Sequence, residues 1–446
     1  MDDGEDPVSA LLARAVGRYR AGEVGLAADL FRQAVALDPD NAVARHQLGL
    51  IAFAQGDPGG AVGHLQRAAE AAPANAEYRN NLGVVLHAVG EPISARTAFA
   101  RALALEPGFA QAANNLGSVL EKLGEAPAAI ASYHRALAAD PGFVEARDNL
   151  VLACAKAAPP WHFPMMSDQR RNAAYAAALA RVAPGRRVLD IGAGSGLLAM
   201  MAARAGAAIV TTCEMEPTVA ARAAAVIAAN GLADQVILRA KRSTEIEVGK
   251  DLDLRAEVLV SEIFASGVLS EEILPTLEDA RERLLTPDAT VIPRRAAAHG
   301  YLVGGPAIEA QLFAPTWSGF DLSAFDELAP VKLGLHLDRL PHQAMSDDFE
   351  IFAFDLTQPR FAPERRALGV RATASGRCAG VAQWLRLDLD DQVTYDNRPH
   401  VEAGPNGWMH VLYRFAEVVE VEAGETIDLV ASHNRTAMTV ALARTI

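Results

Sequence analysis

The sequence predicts three successive architectures: an α-helical solenoid, a parallel α/β domain and a C-terminal β-rich domain. Glycine, proline and alanine recur every 34 residues through the first third of the chain. An apolar segment then enters a glycine-rich turn, followed by an apolar helical segment and a second apolar strand. From Thr290 onward, short alternating stretches separated by Gly, Pro and Asp read as β-structure. At 446 residues the chain exceeds one ordinary core, and its 51% hydrophobic content describes a folded protein.

In the first element Gly22, Gly56, Gly90 and Gly124 stand 34 residues apart, as do Pro39, Pro73, Pro107 and Pro141. Ala27, Ala61, Ala95 and Ala129 share that period, and so do Phe31, Leu65, Phe99 and Tyr133. Leu48-Gly49, Leu82-Gly83 and Leu116-Gly117 recur in phase. The glycine ends the first helix of each unit, where a left-handed residue is needed. Small alanines let paired helices approach, and proline ends the second helix. The pattern resembles tetratricopeptide (TPR) repeats. Four units fit 8–41, 42–75, 76–109 and 110–143, with 144–157 as a capping helix, so a solenoid is expected over 1–157. Such solenoids are commonly protein-binding surfaces. Gln47, Asn81, Asn115 and Asn149 recur at one position of the first helix. Amides offer donors and an acceptor. The row either binds the backbone of an extended peptide, as in some TPR superhelices, or is a set of solvated polar residues.

Residues 158–160 (APP) end the array and open a second domain, expected over 158–296. Val188–Ile191 read as a strand, Gly192, Gly194 and Gly196 as a loop, and Leu197–Ala205 as a helix. Ala208–Cys213 read as the next strand, with Glu214 at its end. Glycines let backbone approach a ligand without Cβ clashes, and an acid after the second strand can accept hydrogen bonds from ribose hydroxyls. The GxGxG spacing resembles the S-adenosylmethionine loop of Rossmann-like class I methyltransferases, with a nicotinamide or flavin enzyme as the competing reading. The resemblance implies Asp190, the three glycines and Glu214 as cofactor-binding residues.

Two further segments resemble the protein arginine methyltransferase family, from Trp161 through Pro293 and more weakly to the C-terminus. In WHFPMMSDQRRNAAY (161–175), His162, Met165, Asp168 and Arg171 match the family helix that precedes the cofactor loop. By that resemblance Arg171 would pair with the methionyl carboxylate, while His162 and Met165 would cover the sulfonium. AEVLVSEIFASGVLSEEILP (256–275) places Glu262 after an apolar strand and Glu271 nine positions later. This resembles the family's double-glutamate loop, which grips the substrate guanidinium, and the family spacing selects Glu271 over Glu272. Guanidinium is planar, has a pKa above about 12 and holds its lone pairs in delocalisation. Two carboxylates can neutralise it, orient one nitrogen and discriminate arginine from lysine. Thr244 or Glu245 would contact the adenine. The wording of WHFPMM, RSTEIEVG and VSEIF is closest to divergent subfamilies, one mainly monomethylating and one carrying TPR repeats. Phe264 stands where asymmetric dimethylating members have Met, which leans toward monomethylation or symmetric dimethylation.

The resemblance implies a β-barrel over 297–446. Candidate strands are ATVIP, RAAAHGYLV, FEIFAFDL, QWLRLDL, WMHVLYRF and TIDLVASH. Trp408 matches the family's Thr-His-Trp loop, but Gly407 stands where the histidine would pair with Asp168. His410 or His433 is a candidate substitute for it. Residues 310–328 are either a dimerisation arm or a local insertion, and the former would imply a homodimer.

The formal net charge of −14 argues against nucleic-acid binding and is compatible with a basic protein or peptide partner or with solubility alone. Cys154, Cys213 and Cys378 are far apart and form no metal motif, so no metal is expected, and reduced thiols suit a cytoplasmic location. The acidic start, MDDGEDPVSA, lacks the features of a secretory signal, and no run of about twenty apolar residues occurs to span a membrane. The reading that unites these features is arginine methylation of a protein or peptide recruited by the repeats. A scaffold with an inactive cofactor-binding domain and a methyltransferase of small guanidines are the alternatives.

Overall fold

In a computed structural model, the chain is described at residues 6–157, 162–399 and 408–443. It divides into two compact units, Met1–Pro159 and Pro160–Ile446. Trp161 and Gly407 lie outside the described residues.

The first unit is helical throughout its described residues. Its elements are α1 (Pro7–Arg20), α2 (Val24–Leu37), α3 (Ala42–Ala54), α4 (Pro58–Ala71), α5 (Ala76–Ala88), α6 (Pro92–Leu105), α7 (Ala110–Lys122), α8 (Ala126–Ala139) and α9 (Val144–Ala157). Four helical hairpins and a closing helix thus follow the 34-residue period. Gly22, Gly56, Gly90 and Gly124 end the first helix of each pair with φ of +78°, +80°, +84° and +76°, which only glycine adopts readily. Gly49, Gly83 and Gly117 serve another purpose. A Cβ built on them would lie 2.6, 2.6 and 2.4 Å from Leu65, Phe99 and Tyr133. The large side chain of each second helix therefore fills a notch that the glycine leaves in the first.

The second unit begins with α10 (His162–Ser167) and α11 (Gln169–Val182). A five-stranded sheet follows, built from β1 (Arg187–Ile191), β2 (Ile209–Cys213), β3 (Val236–Arg239), β4 (Ala256–Ser261) and β5 (Leu285–Ile292). Its helices are α12 (Leu197–Arg204), α13 (Pro217–Ala229) and α14 (Ile273–Arg283). The strand order is β3-β2-β1-β4-β5 and every pair is parallel. Chain order reverses between β1 and β4, and the crevice beyond their C-terminal ends is where open α/β sheets bind ligands. Residues 289–293, which alternation suggested as the first strand of the β region, contribute instead to β5. Thr290 pairs with Val258 there, and Val291 and Ile292 are buried. Alternation alone does not tell which sheet a strand joins.

The remaining elements are β6 (Arg295–Gly304), α15 (Pro306–Leu312), β7 (Thr316–Trp317), β8 (Phe320–Asp321), β9 (Lys332–Leu335), β10 (Gln343–Ala344), β11 (Phe349–Asp355), β12 (Glu364–Arg371), β13 (Gly376–Asp388), β14 (Thr394–Asp396), β15 (His410–Val421), β16 (Thr426–His433) and β17 (Met438–Leu442). They form antiparallel sheets. One runs β10-β6-β13-β15-β9, with β11 on β6 and β14 on β13; a second runs β12-β16-β17, and β7 pairs with β8. The ladders do not close into a ring among the described residues. Leu179, Val258, Leu302, Val381 and Tyr413 belong to one core, so the parallel and antiparallel parts share it. Within 310–328, Leu312 is buried, whereas Phe320, Phe325 and Leu328 are exposed. No helix of the described residues is long and apolar enough to cross a membrane.

The notch geometry makes opposite predictions for two glycines. Gly117→Val, which meets the Tyr133 ring, should destabilise the chain by about 1–3 kcal/mol. Gly63→Ala, in α4 with nothing within 4 Å of the added Cβ, should stabilise it by up to about 1 kcal/mol. Urea unfolding followed by circular dichroism measures both.

Candidate active site

The glycine loop is tied to the strand beside it. The Gly192 and Ala193 amides donate to the Cys213 carbonyl at 3.1 and 3.0 Å. Gly192, Gly194 and Gly196 have φ of +88°, +50° and +81°. A Cβ on Gly192 would lie 2.5 Å from Ile263, so this glycine lets the segment after β4 close on the loop. Gly194 faces open space instead. Glu214 reaches back to this loop, accepting from the Gly194 amide at 3.1 Å and from the Glu216 amide at 3.0 Å.

Asp190 is completely buried at the end of β1. Its Oδ2 accepts from the Thr212 hydroxyl at 2.7 Å, while Oδ1 has no partner among the described residues. Burial pushes its carboxyl up to about 7, Thr212 opposes that, Glu214 adds to it and Arg171 opposes it. Thr244 and Glu245 lie in a short turn (Ser243–Glu245), both exposed, with Glu245 accepting from the Arg242 amide at 3.0 Å. No hydrogen bond among the described residues joins either to Glu214 or to the glycine loop.

Ahead of the sheet in the chain, Asp168 caps α11, its Oδ1 accepting from the Arg171 amide at 3.0 Å. Arg171 then turns inward and takes Glu262 bidentately. Its Nε donates to Oε1 at 2.5 Å, and its Nη2 pairs with Oε2. Both side chains are at least 94% buried. The Arg171 Nη1 donates to the Met165 carbonyl and to Asn172 Oδ1 at 3.3 and 2.7 Å, so the guanidinium is satisfied on three sides. Tyr175 beneath it donates to the Ser261 carbonyl at 3.3 Å. The structure thus brings Arg171 and Glu262 together, a pairing the sequence did not suggest.

Glu271 is exposed, yet crowding by the protein raises its pKa; His162 lowers it and Glu214 raises it again. His162, Glu214 and Glu271 therefore share one electrostatic environment. The loop between the two glutamates is held from below. Gln383 Nε2 donates to the Ser266 carbonyl at 3.0 Å, and Tyr413 donates to Gln383 Oε1 at 2.8 Å. Val268 and Glu272 have φ of +65° and +59°, a strained conformation for side-chain-bearing residues. Phe264 is buried in the core, as is Trp408.

Neither histidine suggested as a substitute reaches Asp168. His410 Nδ1 accepts from the Leu337 amide at 3.1 Å, and its Nε2 lies 2.8 Å from the Asn397 carbonyl. His433 is edge-on to Phe352 and Phe354. The partner is Tyr395 of β14, whose hydroxyl donates to Asp168 Oδ2 at 2.5 Å. Sequence reasoning missed Tyr395, Gln383 and Tyr413, since no local motif marks residues whose partners are distant in the chain.

In the solenoid the polar row bonds along the repeats. Asn81 Nδ2 lies 2.9 Å from His46 Nε2, Asn115 donates to Asn80 at 3.1 Å, and Asn149 donates to Asn114 at 3.0 Å. Gln47, Asn81, Asn115 and Asn149 are each half-buried. The asparagines are thus neither fully solvated nor idle: each spends a donor on the preceding repeat.

Family models describe two parts of the chain. One for the ribosomal protein L11 methyltransferase (PrmA) matches residues 176–292, and two for tetratricopeptide repeats match 18–83 and 88–142. An arginine N(omega)-methyltransferase of Streptomyces achromogenes subsp. streptozoticus is 40% identical over 277 residues, covering 61% of this chain and 75% of that protein. A protein arginine N-methyltransferase 7 of Oryza sativa subsp. indica is 33% identical, covering 53% of this chain and 36% of that protein. Its counterpart in Drosophila erecta is 32% identical, covering 60% and 46%. The chain thus spans less than half the length of these two relatives. The Trypanosoma brucei PRMT1 enzyme–prozyme complex with AdoHcy matches with a TM-score of 0.56 at 22% identity, covering 64% of this chain and 93% of that one. Arabidopsis thaliana protein arginine methyltransferase 10 matches with a TM-score of 0.53 at 20% identity and the same coverages. These two structures speak for the fold.

The buried pair generates a stability prediction. Arg171→Met leaves the Glu262 carboxylate buried without its cation and should cost about 3–5 kcal/mol. Arg171→Met combined with Glu262→Leu should recover most of that loss, because no uncompensated charge remains. Denaturant titration of the three proteins tests this.

Proposed function

The chain belongs to the arginine N-methyltransferase family, and from that premise we propose that Glu262 and Glu271 hold an arginine guanidinium for methylation from S-adenosylmethionine. Membership rests on 40% identity across three quarters of the Streptomyces relative. The observation that carries the placement of the reaction is the buried Arg171–Glu262 pair just beyond the end of β4, with Glu271 across an anchored loop.

The residues around the glycine loop fit the cofactor. Gly194 opens onto free space, Glu214 is already turned to the loop, and Asp190 Oδ1 is a buried oxygen with no protein partner among the described residues. Glu214 would take the ribose hydroxyls, and Asp190, Gly192 and Gly196 would line the cradle. Thr244 or Glu245 would meet the adenine, and His162 and Met165 would cover the reacting end. Arg171 would face the methionyl carboxylate while holding Glu262. When bound, S-adenosylmethionine supplies an electrophilic methyl group on its sulfonium.

Glu262, fixed by Arg171 at both oxygens, retains lone pairs for the substrate, since each carboxylate oxygen can accept twice. It would orient one terminal nitrogen and draw the cation's charge toward the opposite side. Glu271, exposed and with a raised pKa, is suited to accept the proton that the methylated nitrogen sheds and pass it to water. Asp168 and Trp408 support this arrangement, and the bulk of Phe264 favours monomethylation or symmetric dimethylation.

The repeats support a protein or peptide substrate, whose extended backbone the row of Gln47, Asn81, Asn115 and Asn149 would hold in part. The domains would be 1–157 for recruitment, 158–296 for the cofactor and 297–446 for the substrate. The exposed Phe320, Phe325 and Leu328 suit the arm to a second copy of the chain. Three free cysteines suit a cytoplasmic setting. A second reading, methylation of arginine as a small molecule, is favoured by one observation: the 40% identical relative is named for arginine without mention of protein.

Three measurements follow. With labelled S-adenosylmethionine, wild type should methylate an arginine-rich peptide; Glu262→Gln and Glu271→Gln should each cut kcat/KM by at least about a hundredfold while cofactor binding by calorimetry persists. Loss of cofactor binding in both variants would defeat the assignment. Asn81→Ala/Asn115→Ala/Asn149→Ala should raise KM for a long peptide several-fold and leave free arginine untouched; if free arginine is the better substrate for wild type, the second reading stands. The raised Glu271 pKa means that it protonates earlier on acidification than an ordinary glutamate, so kcat/KM should fall on the acid side from above the usual carboxylate range. His162→Asn, which removes a lowering influence, should move that limb to higher pH at saturating cofactor.

A further inference from the structure

We infer that Tyr395 is a positioning residue for methyl transfer, acting on Glu262 through Asp168, the start of α11 and Arg171. The inference rests on the reading that Glu262 holds the guanidinium. Tyr395 lies on β14, a three-residue strand at the edge of β13, with Leu387 as its register partner. From there its hydroxyl donates to Asp168 Oδ2 at 2.5 Å across 227 residues of sequence. The other carboxylate oxygen accepts from the Arg171 amide, and the Arg171 side chain grips Glu262 with two nitrogens. All four residues are buried. One hydrogen-bonded chain therefore runs from the antiparallel sheet to the end of β4.

The chemistry explains why a phenol suits the position. Burial and the Asp168 carboxylate both raise the Tyr395 pKa, so its hydroxyl keeps the proton it donates. The bond is charge-assisted, and it fixes which Asp168 oxygen faces the helix cap. Remove the hydroxyl, and Oδ2 becomes a buried carboxylate oxygen without that donor. Asp168 can then rotate away from the cap, and the Arg171 fork, which leaves the chain at the capped turn, shifts with it. A small shift at Glu262 costs far more in rate than in stability, because attack on a methyl group requires near-linear alignment.

The test uses the full chain. Tyr395→Phe keeps the ring and its packing but deletes the donor, and kcat should fall about ten- to a hundredfold with the thermal midpoint little changed. Cofactor Kd, which also depends on Arg171, should rise by far less than kcat falls. Tyr395→His supplies an N–H donor in place of the hydroxyl and should regain part of that loss. Asp168→Asn should be costly in wild type yet add little to Tyr395→Phe, as expected of members of one chain. A Tyr395→Phe protein with wild-type kcat, or one whose rate loss matches only its lost folded fraction, would overturn the inference. Failure of the wild type to methylate either peptide or free arginine would sink the methyltransferase reading, and the inference with it.

Discussion

The pair between Arg171 and Glu262 is the constraint around which the second unit is arranged. Taking two full charges out of water is costly, and the mutual attraction compensates only when geometry is good and the remaining polar atoms are satisfied. Every neighbour meets that demand. Met165 and Asn172 take the outer nitrogen, Tyr175 lies under the guanidinium, and Asp168 fixes the turn from which Arg171 departs. Because Glu262 follows β4 and Arg171 lies in the first turn of α11, the pair locks the helix that precedes the sheet onto a strand beside the central one. The direction of the Glu262 carboxylate is thereby set before any substrate arrives.

That arrangement addresses the difficulty peculiar to the proposed reaction, in which both reactants are cations. Two unit charges about 4 Å apart repel by about 4 kcal/mol at an effective dielectric of roughly 20. Asp190 and Glu271 each feel the charge of Glu214, and Glu262 is paired with Arg171. In the proposed reaction these carboxylates would offset the repulsion between sulfonium and guanidinium. Burial is the larger cause of the raised pKa values at Asp190 and Glu271, and the like charge of Glu214 adds to both.

What the sequence disclosed, and what it withheld, follows from distance along the chain. The repeats were legible because the same packing demand returns at one fixed interval, with Gly83 and Gly117 making room for Phe99 and Tyr133 in turn. The glycine loop and Glu214 were legible because strand, turn, helix and acid are contiguous. Glu262 and Glu271 could be named from a nine-residue spacing and a resemblance. The bond from Tyr395 to Asp168 left no such trace, and neither did the anchoring of Ser266 by Gln383. The same limit applies to residues 289–293, whose polarity pattern suits either kind of sheet. In the solenoid, composition showed a polar row but not that Asn115 and Asn149 bond to the preceding repeat.

The two glutamates are held by different means, and the difference suits them to the roles proposed for them. Glu262 is buried, ion-paired and fixed at both oxygens, which suits it to orientation. Glu271 is exposed, follows a strained segment at Val268 and sits among groups that move its pKa in both directions. A carboxylate of that kind can change charge within a reaction cycle. Strain at Val268 in the intervening loop costs about 1–3 kcal/mol and persists because Gln383 and Tyr413 hold the loop from the sheet below. The antiparallel region therefore acts on both carboxylates, on Glu262 through Tyr395 and on Glu271 through the loop. The placement of the two carboxylates thus depends on both parts of the second unit.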